Sequence, residues 1–310
     1  MIKRHFPAMP LGRPFTQGEC LAPNHPKRSE ANGGKGSPSG RPVVGAAVLS
    51  MSIACAACLV STAGNAAEAA GGDASLTQKL SNPVASLISI PIEADANFDV
   101  GPNDTESYVL KLKPVVPFSW NENWNLISRT IVPAFVKRND VPKHDSGMGD
   151  VNQSFFFSPK AVSNGVIWGV GPSIQLPTAT HKWIGQGRWG LGPTGVVLVQ
   201  RGSWTYGVLL AHVWSVGGRS NREDYANTLL QPFATYDFHN GWRVSANMEN
   251  TYNWKGKGGA TVPLNVSGHR LAKLGSQLVD FELGVRSYLE SPSSGADIGA
   301  FFTATLLLPD

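Results

Sequence analysis

Hydrophobic and polar residues alternate strictly along ISIPIEADANFDV, the stretch that spans residues 88–100. All apolar positions have one parity, and all polar positions have the other. Such an alternation is typical of a β-strand with one apolar and one polar face. The stretch is longer than a strand of a soluble protein needs, and it fits a tilted strand that crosses a bilayer.

The same pattern appears in WRVSANMENTYNW (242–254) and in LVDFELGVRSY (278–288). In the first of these, Trp242 lies at one end of the apolar face, and Tyr252 and Trp254 lie at the other. Membrane barrels carry a girdle of aromatic residues at each interface, so these rings predict both girdles. Trp183 and Trp189 are predicted to belong to a girdle as well, at the two sides of a turn.

Weaker strand candidates fill the rest of the chain and bring the total to about twelve. They cover residues 106–118, 124–136, 149–159, 164–176, 189–200, 203–216, 224–238, 260–268 and 295–308. Turn signals such as Asn164-Gly165 and Asn240-Gly241 separate them. We therefore predict an all-β fold, a transmembrane antiparallel up-and-down β-barrel of about twelve strands. The alternative is a soluble β-sandwich or calyx, because alternation alone does not tell inside from outside.

The N-terminal residues have the features of an export signal. Residues 1–42 are rich in Pro, Gly and basic residues and predict a disordered leader or a start codon placed too far upstream. The apolar run and the small residues that follow it, together residues 43–69, predict a signal peptide. The alternative interpretation is an 18-residue transmembrane anchor. A short segment, 70–83, precedes the barrel at 84–310. Export and the predicted barrel together imply the bacterial outer membrane.

Composition agrees with an exported barrel. Only 15% of residues are charged and 34 are glycines, a mixture that suits hairpins better than helical bundles. Cys20, Cys55 and Cys58 all precede the predicted cleavage site, so the exported chain needs neither a disulfide nor a thiolate metal site. The net charge of +4 includes the basic leader and does not indicate nucleic-acid binding.

Catalytic and cofactor motifs lack their required context. Residues 185–190 match G-x-G-x-x-G, but Pro193 prevents the helix that a dinucleotide site needs, and no acid follows for a ribose. The histidine spacing offers no metal site. We therefore expect no enzyme, cofactor or metal. The alternative hypothesis is a lipase-like barrel with an active site built around His212. If the protein is not such an enzyme, His212 is expected to line the interior or to bond to a neighbouring strand.

The charged face of the strands is the remaining functional feature. A charged side chain in lipid near the midplane costs about 2–4 kcal/mol, so these residues are predicted to line the interior. They are Glu93, Asp95, Asp99, Lys111, Lys113, Arg129, Arg243, Glu249, Asp280, Glu282 and Arg286. Twelve strands are compatible with a narrow conduit or with an interior sealed by paired ions.

Several stretches, in order, resemble a known family. They are LSNPVASLISIPIEADANFDVGP, NWNLISRTIVP, GMGDVNQSFFFSP, GPSIQLPTATHKWIGQGRWGLGP, LLQPFATYDFHNGW and TYNWKG. They resemble the outer-membrane β-barrels of the MetA-pathway of phenol degradation family, over about residues 79–308. The resemblance implies a channel that admits small hydrophobic or aromatic compounds, contacts membrane lipid and uses the barrel-assembly machinery. One departure is the end at Asp310, where such barrels commonly have an aromatic residue.

Overall fold

A computed structural model describes residues 76–141, 145–238, 240–255 and 259–308. The predicted leader (1–42) and signal peptide (43–69) lie outside these residues. The described part contains fifteen strands, a short helical turn at 76–80 and a 3-10 turn at Gly101–Asn103. No helix in the described part is both long enough and apolar enough to span a bilayer.

The strands follow one another with short connections. They are β1 (Ile88–Val100), β2 (Thr105–Leu112), β3 (Val115–Ser119), β4 (Trp124–Arg138), β5 (Ser146–Gly147), β6 (Val151–Pro159), β7 (Val166–Leu176), β8 (Arg188–Arg201), β9 (Trp204–Gly218), β10 (Ala226–Asp237), β11 (Trp242–Met248), β12 (Asn250–Asn253), β13 (Ala260–Leu274), β14 (Gln277–Glu290) and β15 (Ile298–Leu308).

These strands form one antiparallel sheet that closes on itself. Strands that follow one another around the wall pair with each other, and the last strand, β15, pairs with β1 from Ile88↔Leu308 to Phe98↔Ile298. β2 with β3, and β11 with β12, each make one strand of the wall, while the two-residue β5 only borders β4. The wall therefore has 12 strands, and the predicted barrel is confirmed. Closure leaves no free sheet edge.

Prolines account for the break between β11 and β12. The register with β10 runs unchanged from Phe233↔Asn247 to Leu230↔Asn250, so Pro232 falls opposite Met248. The register with β13 is equally continuous and puts Pro263 opposite Glu249. Because proline has no N–H to donate, the ladder is interrupted on both sides of Glu249.

The connections between strands differ in length at the two ends of the barrel. At the end that holds the start of β1, which we call the short-turn end, the connections are 120–123, 160–165, 202–203, 238–241 and 275–276. At the opposite, long-loop end they are 101–104, 139–150, 177–187, 219–225, 254–259 and 291–297, so the connections are longer on average there. Asn164 and Gly165 both have positive φ, as the predicted tight turn requires. β13 extends six residues past its predicted end at 268.

Alternation along each strand separates an apolar outer surface from a buried interior. The outward positions include Leu210, Val216, Leu283 and Val285, each more than half exposed. The residues between them, such as Leu209 and Arg286, are buried. An apolar outer face around a closed sheet is the surface that a bilayer requires.

The close approach of two neighbouring strands at Gly171 in β7 leads to a testable prediction. A Cβ at this position would lie 2.0 Å from the backbone oxygen of Phe155, which cannot move without disturbing the ladder. We expect Gly171→Ala to destabilise the barrel by about 1–3 kcal/mol. The control Gly268→Ala adds a methyl group where nothing lies within 4 Å. The measurement is the temperature at which each folded barrel loses its fast migration in an unboiled gel, and equal temperatures for the two variants would contradict the prediction.

Candidate functional site

Polar residues of β1, β2 and β14 meet inside the barrel in a group that we call the β1–β2 ion cluster. The Glu93 carboxylate bonds to Lys113 and lies 2.8 Å from Lys111 Nζ, which stands directly opposite it in the register. Asp95 contacts Lys111 at 2.6 Å and Arg286 at 3.1 Å. Arg286 Nε also donates to Asn265 Oδ1 at 2.6 Å. The cluster is therefore a chain of alternating charges along one side of the interior.

A second group, the β11–β14 ion cluster, lies nearer the short-turn end. Arg243 and Asp280 are both almost fully buried, and their side chains meet at 2.5 Å. His269 Nδ1 lies 3.3 Å from Asp280, and its Nε2 lies 3.5 Å from Glu282. Ser267 donates to Glu282 at 2.8 Å. The bonds link three neighbouring wall strands through their inward side chains.

This cluster contains a hydroxyl, an imidazole and a carboxylate that contact one another in a row. Ser245 Oγ lies 2.9 Å from His269 Nε2, and Asp280 lies on the other ring nitrogen. In a serine hydrolase the carboxylate must stabilise the imidazolium that forms during attack. Here Arg243 already neutralises that carboxylate and itself lies 3.3 Å from His269 Nδ1. We therefore interpret the cluster as a structural network.

Arg129 and Glu249 are inward residues without a close ion partner. Neither makes a salt bridge or a side-chain hydrogen bond with the described residues. Glu249 and Glu93 act on Arg129 only over longer distances. Together with the two clusters they give matching numbers of bases and acids, namely Lys111, Lys113, Arg129, Arg243 and Arg286 against Glu93, Asp95, Glu249, Asp280 and Glu282.

Asp99 is the one charged residue of the predicted set that departs from this arrangement. A bulge between Asn97 and Val100 shifts the register, and Asp99 adopts a positive φ of 54°. The shift turns Val100 to the inside and leaves Asp99 exposed at the end of the strand. The alternation in the sequence continues through this point, so the sequence gives no sign of the bulge.

The opposite half of the interior carries few charges. Apart from Arg188 at the start of β8, the inward positions of β6 to β9 carry Ser, Thr, Asn, Gln, Gly and apolar residues. Ile127 and Phe156 are fully buried there, and they belong to an apolar cluster with Val196, Leu198 and Leu209. The interior thus has one ionic side and one apolar side.

The residues before β1 enter the barrel from the short-turn end. We call residues 76–87 the N-terminal segment. Val84 joins the apolar cluster, and Thr77 is completely buried. The Thr77 carbonyl accepts a hydrogen bond from Arg243 at 2.8 Å, and the Gln78 carbonyl accepts one from Gln200 at 2.8 Å. The segment therefore contacts both sides of the interior.

A cavity of about 230 Å³ lies against this segment. Its apolar lining comes from Leu80, Pro83, Leu209 and Phe233. Ala246 also lines it, and its polar lining comes from Ser81, Arg129, Gln231, Thr235, Arg243, Ser245, Asn247, His269 and Glu282. The cavity lies where the two sides of the interior meet. Of these lining residues, the sequence indicated Arg129, Arg243 and Glu282 only.

The predicted girdle residues lie on the outside, near the ends of strands. Trp189, Tyr252 and Trp254 lie at the long-loop end, Trp242 lies at the short-turn end, and all are between 43% and 64% exposed. Trp183 is in loop 177–187. Further exposed rings, among them Trp204 and Trp214, give no clear signal in the sequence, because their strands lack the alternation of residues 242–254.

His212 faces outward from β9, on the same side as Trp214. Its Nδ1 lies 2.7 Å from Thr228 Oγ1, which also accepts a hydrogen bond from Trp254 Nε1 at 2.8 Å. His212 Nε2 is buried and has no hydrogen-bond partner in the described chain. No carboxylate of the described residues orients this ring. These contacts agree with the interpretation in which His212 bonds to a neighbouring strand.

The stretch with the G-x-G-x-x-G letters is a loop followed by strand β8. The side chain of Asp150 accepts hydrogen bonds from the backbone N–H groups of Ala179 and Gln186 and so fastens loop 177–187. Arg222 donates to the Gly185 carbonyl in the same loop. No helix follows the glycines, so they do not form a phosphate loop.

Two titrating groups at this long-loop end have shifted pKa values. Burial raises the pKa of Asp140, but the hydrogen bond and the charge of Arg138 outweigh burial and leave the pKa below its usual value. Burial, together with the charge of Asp150, raises the pKa of Tyr225 to about 12. Asp140 is therefore ionised and Tyr225 is neutral at neutral pH.

The buried Arg243–Asp280 pair allows a matched test. We expect Asp280→Asn to lower the free energy of unfolding by about 3–5 kcal/mol, because it leaves Arg243 buried without its counter-charge. The control Asp224→Asn removes the carboxylate of an ion pair with Arg188 in which Asp224 is 53% exposed. It is expected to cost about 0–1 kcal/mol. Urea unfolding in lipid vesicles, followed by tryptophan fluorescence, measures both, and similar losses would contradict the prediction.

Comparison with solved structures identifies the fold. The barrel resembles an outer-membrane channel from Pseudomonas putida F1 with a TM-score of 0.56 and 13% sequence identity, over 72% of this chain and 96% of that chain. Outer membrane phospholipase A from Escherichia coli aligns with a TM-score of 0.40 and 13% identity over 71% and 92% of the two chains. No family model matches the sequence, and no curated protein matches it either.

These comparisons concern architecture. Sequence identity of 13% to the channel is too low to transfer its function, and the weaker likeness to the phospholipase carries no argument. The resemblance to the MetA-pathway family stays a prediction. This chain has the fold of an outer-membrane β-barrel.

Proposed function

We propose that this protein is an outer-membrane channel of the MetA-pathway type, which passes small hydrophobic or aromatic molecules without catalysing a reaction. In this proposal, export through a cleaved signal peptide and the barrel-assembly machinery bring it to the outer membrane. The apolar outer face and the likeness to a known outer-membrane channel support this location.

The cavity with one apolar and one polar side carries the proposal. Binding sites for small molecules combine apolar surface with a few polar groups that fix orientation. Leu209 and Phe233 offer the apolar surface, while Gln231 and Asn247 offer polar groups. A barrel sealed only for stability has no need of such a cavity. The predicted interior charges would border the path that a solute takes.

The orientation follows from the connections. Bacterial barrels have short periplasmic turns and longer extracellular loops. In this orientation the N-terminal segment closes the periplasmic end, and loops 139–150 and 177–187 shape the outer entrance. Trp189, Tyr252 and Trp254 would then form the outer girdle, and Trp242 would belong to the inner one.

Two alternatives are weighed against the channel. The contacts of the N-terminal segment favour a plugged, structural barrel, since the segment packs on Ile127 and Phe156 through Val84. A lipase-like enzyme is disfavoured by the surroundings of His212, which has no orienting carboxylate among the described residues, and by Arg243, which neutralises Asp280.

Conductance distinguishes a channel from a plugged barrel. We expect the purified barrel to conduct ions in planar bilayers, and we expect Val84→Asp to increase the single-channel conductance. A carboxylate among apolar side chains costs several kcal/mol, so the N-terminal segment should leave the interior. The control Lys79→Asp changes an exposed residue of the same segment and should leave the conductance close to that of the unmodified barrel.

Each outcome has a distinct meaning. Silence of both the unmodified barrel and Val84→Asp across a range of salt concentrations would reject the channel. Conductance that Val84→Asp leaves unchanged would show that the N-terminal segment does not restrict the path.

A further inference from the structure

The cavity beside the N-terminal segment contains hydrogen-bond donors that bond to none of the described residues. Neither Arg129 nor Gln231 makes a side-chain hydrogen bond with the described residues. Asn247 accepts a hydrogen bond from Asn265 through Oδ1, which leaves its own N–H groups free. These three residues come from β4, β10 and β11, so the free donors border the cavity from different parts of the wall.

Arg129 differs from every other inward base described above. Lys111, Lys113, Arg243 and Arg286 each have a carboxylate within ion-pair distance. Arg129 has no such carboxylate in the described part of the chain, although it lies inside the barrel on the same face as the buried Ile127. Arg129 is partly buried. A guanidinium that loses part of its hydration and gains no close counter-charge is destabilising, and its fork of donors matches a carboxylate in two parallel hydrogen bonds. A bound anion would supply the missing partner.

The remaining lining restricts the kind of anion. Leu80, Pro83, Leu209 and Phe233 offer an apolar surface that a small inorganic ion would not use. Glu282, the one carboxylate among the described lining residues, accepts a hydrogen bond from Ser267 and lies 3.5 Å from His269. Its charge disfavours a second acidic group on the ligand. An anion with a single charge and an apolar body fits this lining.

We propose that the cavity binds a small organic monocarboxylate, with its carboxylate on Arg129, Gln231 and Asn247 and its apolar body against Leu209 and Phe233. The inference rests on the proposed channel and specifies which class of solute that channel holds. Binding requires only the folded barrel, so it can be tested separately from transport.

Binding of benzoate to the detergent-purified barrel tests the proposal, with benzamide as the neutral counterpart of the same shape. Saturation-transfer NMR titrations would give the two dissociation constants. We expect benzoate to bind about tenfold more tightly than benzamide, and acetate to bind more weakly than benzoate because it lacks the apolar body. Equal binding of benzoate and benzamide, or of benzoate and acetate, would overturn the proposal.

Variants assign the effect to the cavity. Arg129→Met should abolish the preference for benzoate over benzamide, while Lys160→Met, which removes an exposed base, should preserve it. Fast migration in an unboiled gel establishes that each variant is folded. If Arg129→Met does not fold, Gln231→Leu removes another free donor and should weaken benzoate binding while sparing benzamide. An unchanged preference in the folded variants would refute the site.

Conductance of the same preparations separates this inference from the proposed function. A barrel that conducts ions and shows no preference for benzoate would refute the carboxylate site and leave the channel intact. A barrel that binds benzoate through Arg129 and never conducts would refute the channel and leave the site intact.

Discussion

The pairing of β15 with β1 is the constraint on which the rest of the structure depends. A bilayer offers no water to an unpaired backbone group, so a sheet can cross it only when its last strand pairs with its first. Closure makes one face of every strand an outer face and the other an inner face. The alternation of side chains is therefore imposed on the whole circumference, and the outward residues must be apolar.

Closure also places the charged residues in a confined interior. A charge removed from water is costly unless a partner and hydrogen bonds compensate it. The β1–β2 and β11–β14 ion clusters meet this requirement for most of the inward charges. On the side of β6 to β9, where Arg188 is the one charged residue at an inward position, apolar residues pack against the N-terminal segment instead. The cavity forms where the ionic and apolar sides of the interior adjoin, and Arg129 lies there without an ion partner among the described residues.

The strands and faces predicted from the sequence agree with the structure in some places and differ at particular residues. The alternation over 88–100, 242–254 and 278–288 predicted the strands and their outward faces, because the period of two is a local property. It failed at Asp99, where a bulge reverses the faces without any change in the pattern. It also missed His269, since β13 was predicted to end at residue 268 and in fact ends at Leu274.

The sequence by itself determined that this chain consists of about twelve strands, and it determined which residues of each regular strand share a face. Both follow from local periodicity and from turn residues. Only the tertiary structure decided which charges pair, that no described carboxylate lies close to Arg129, and that the N-terminal segment lies inside. These features depend on the register between strands and on contacts between residues far apart in the chain, for which a single sequence contains no local signal.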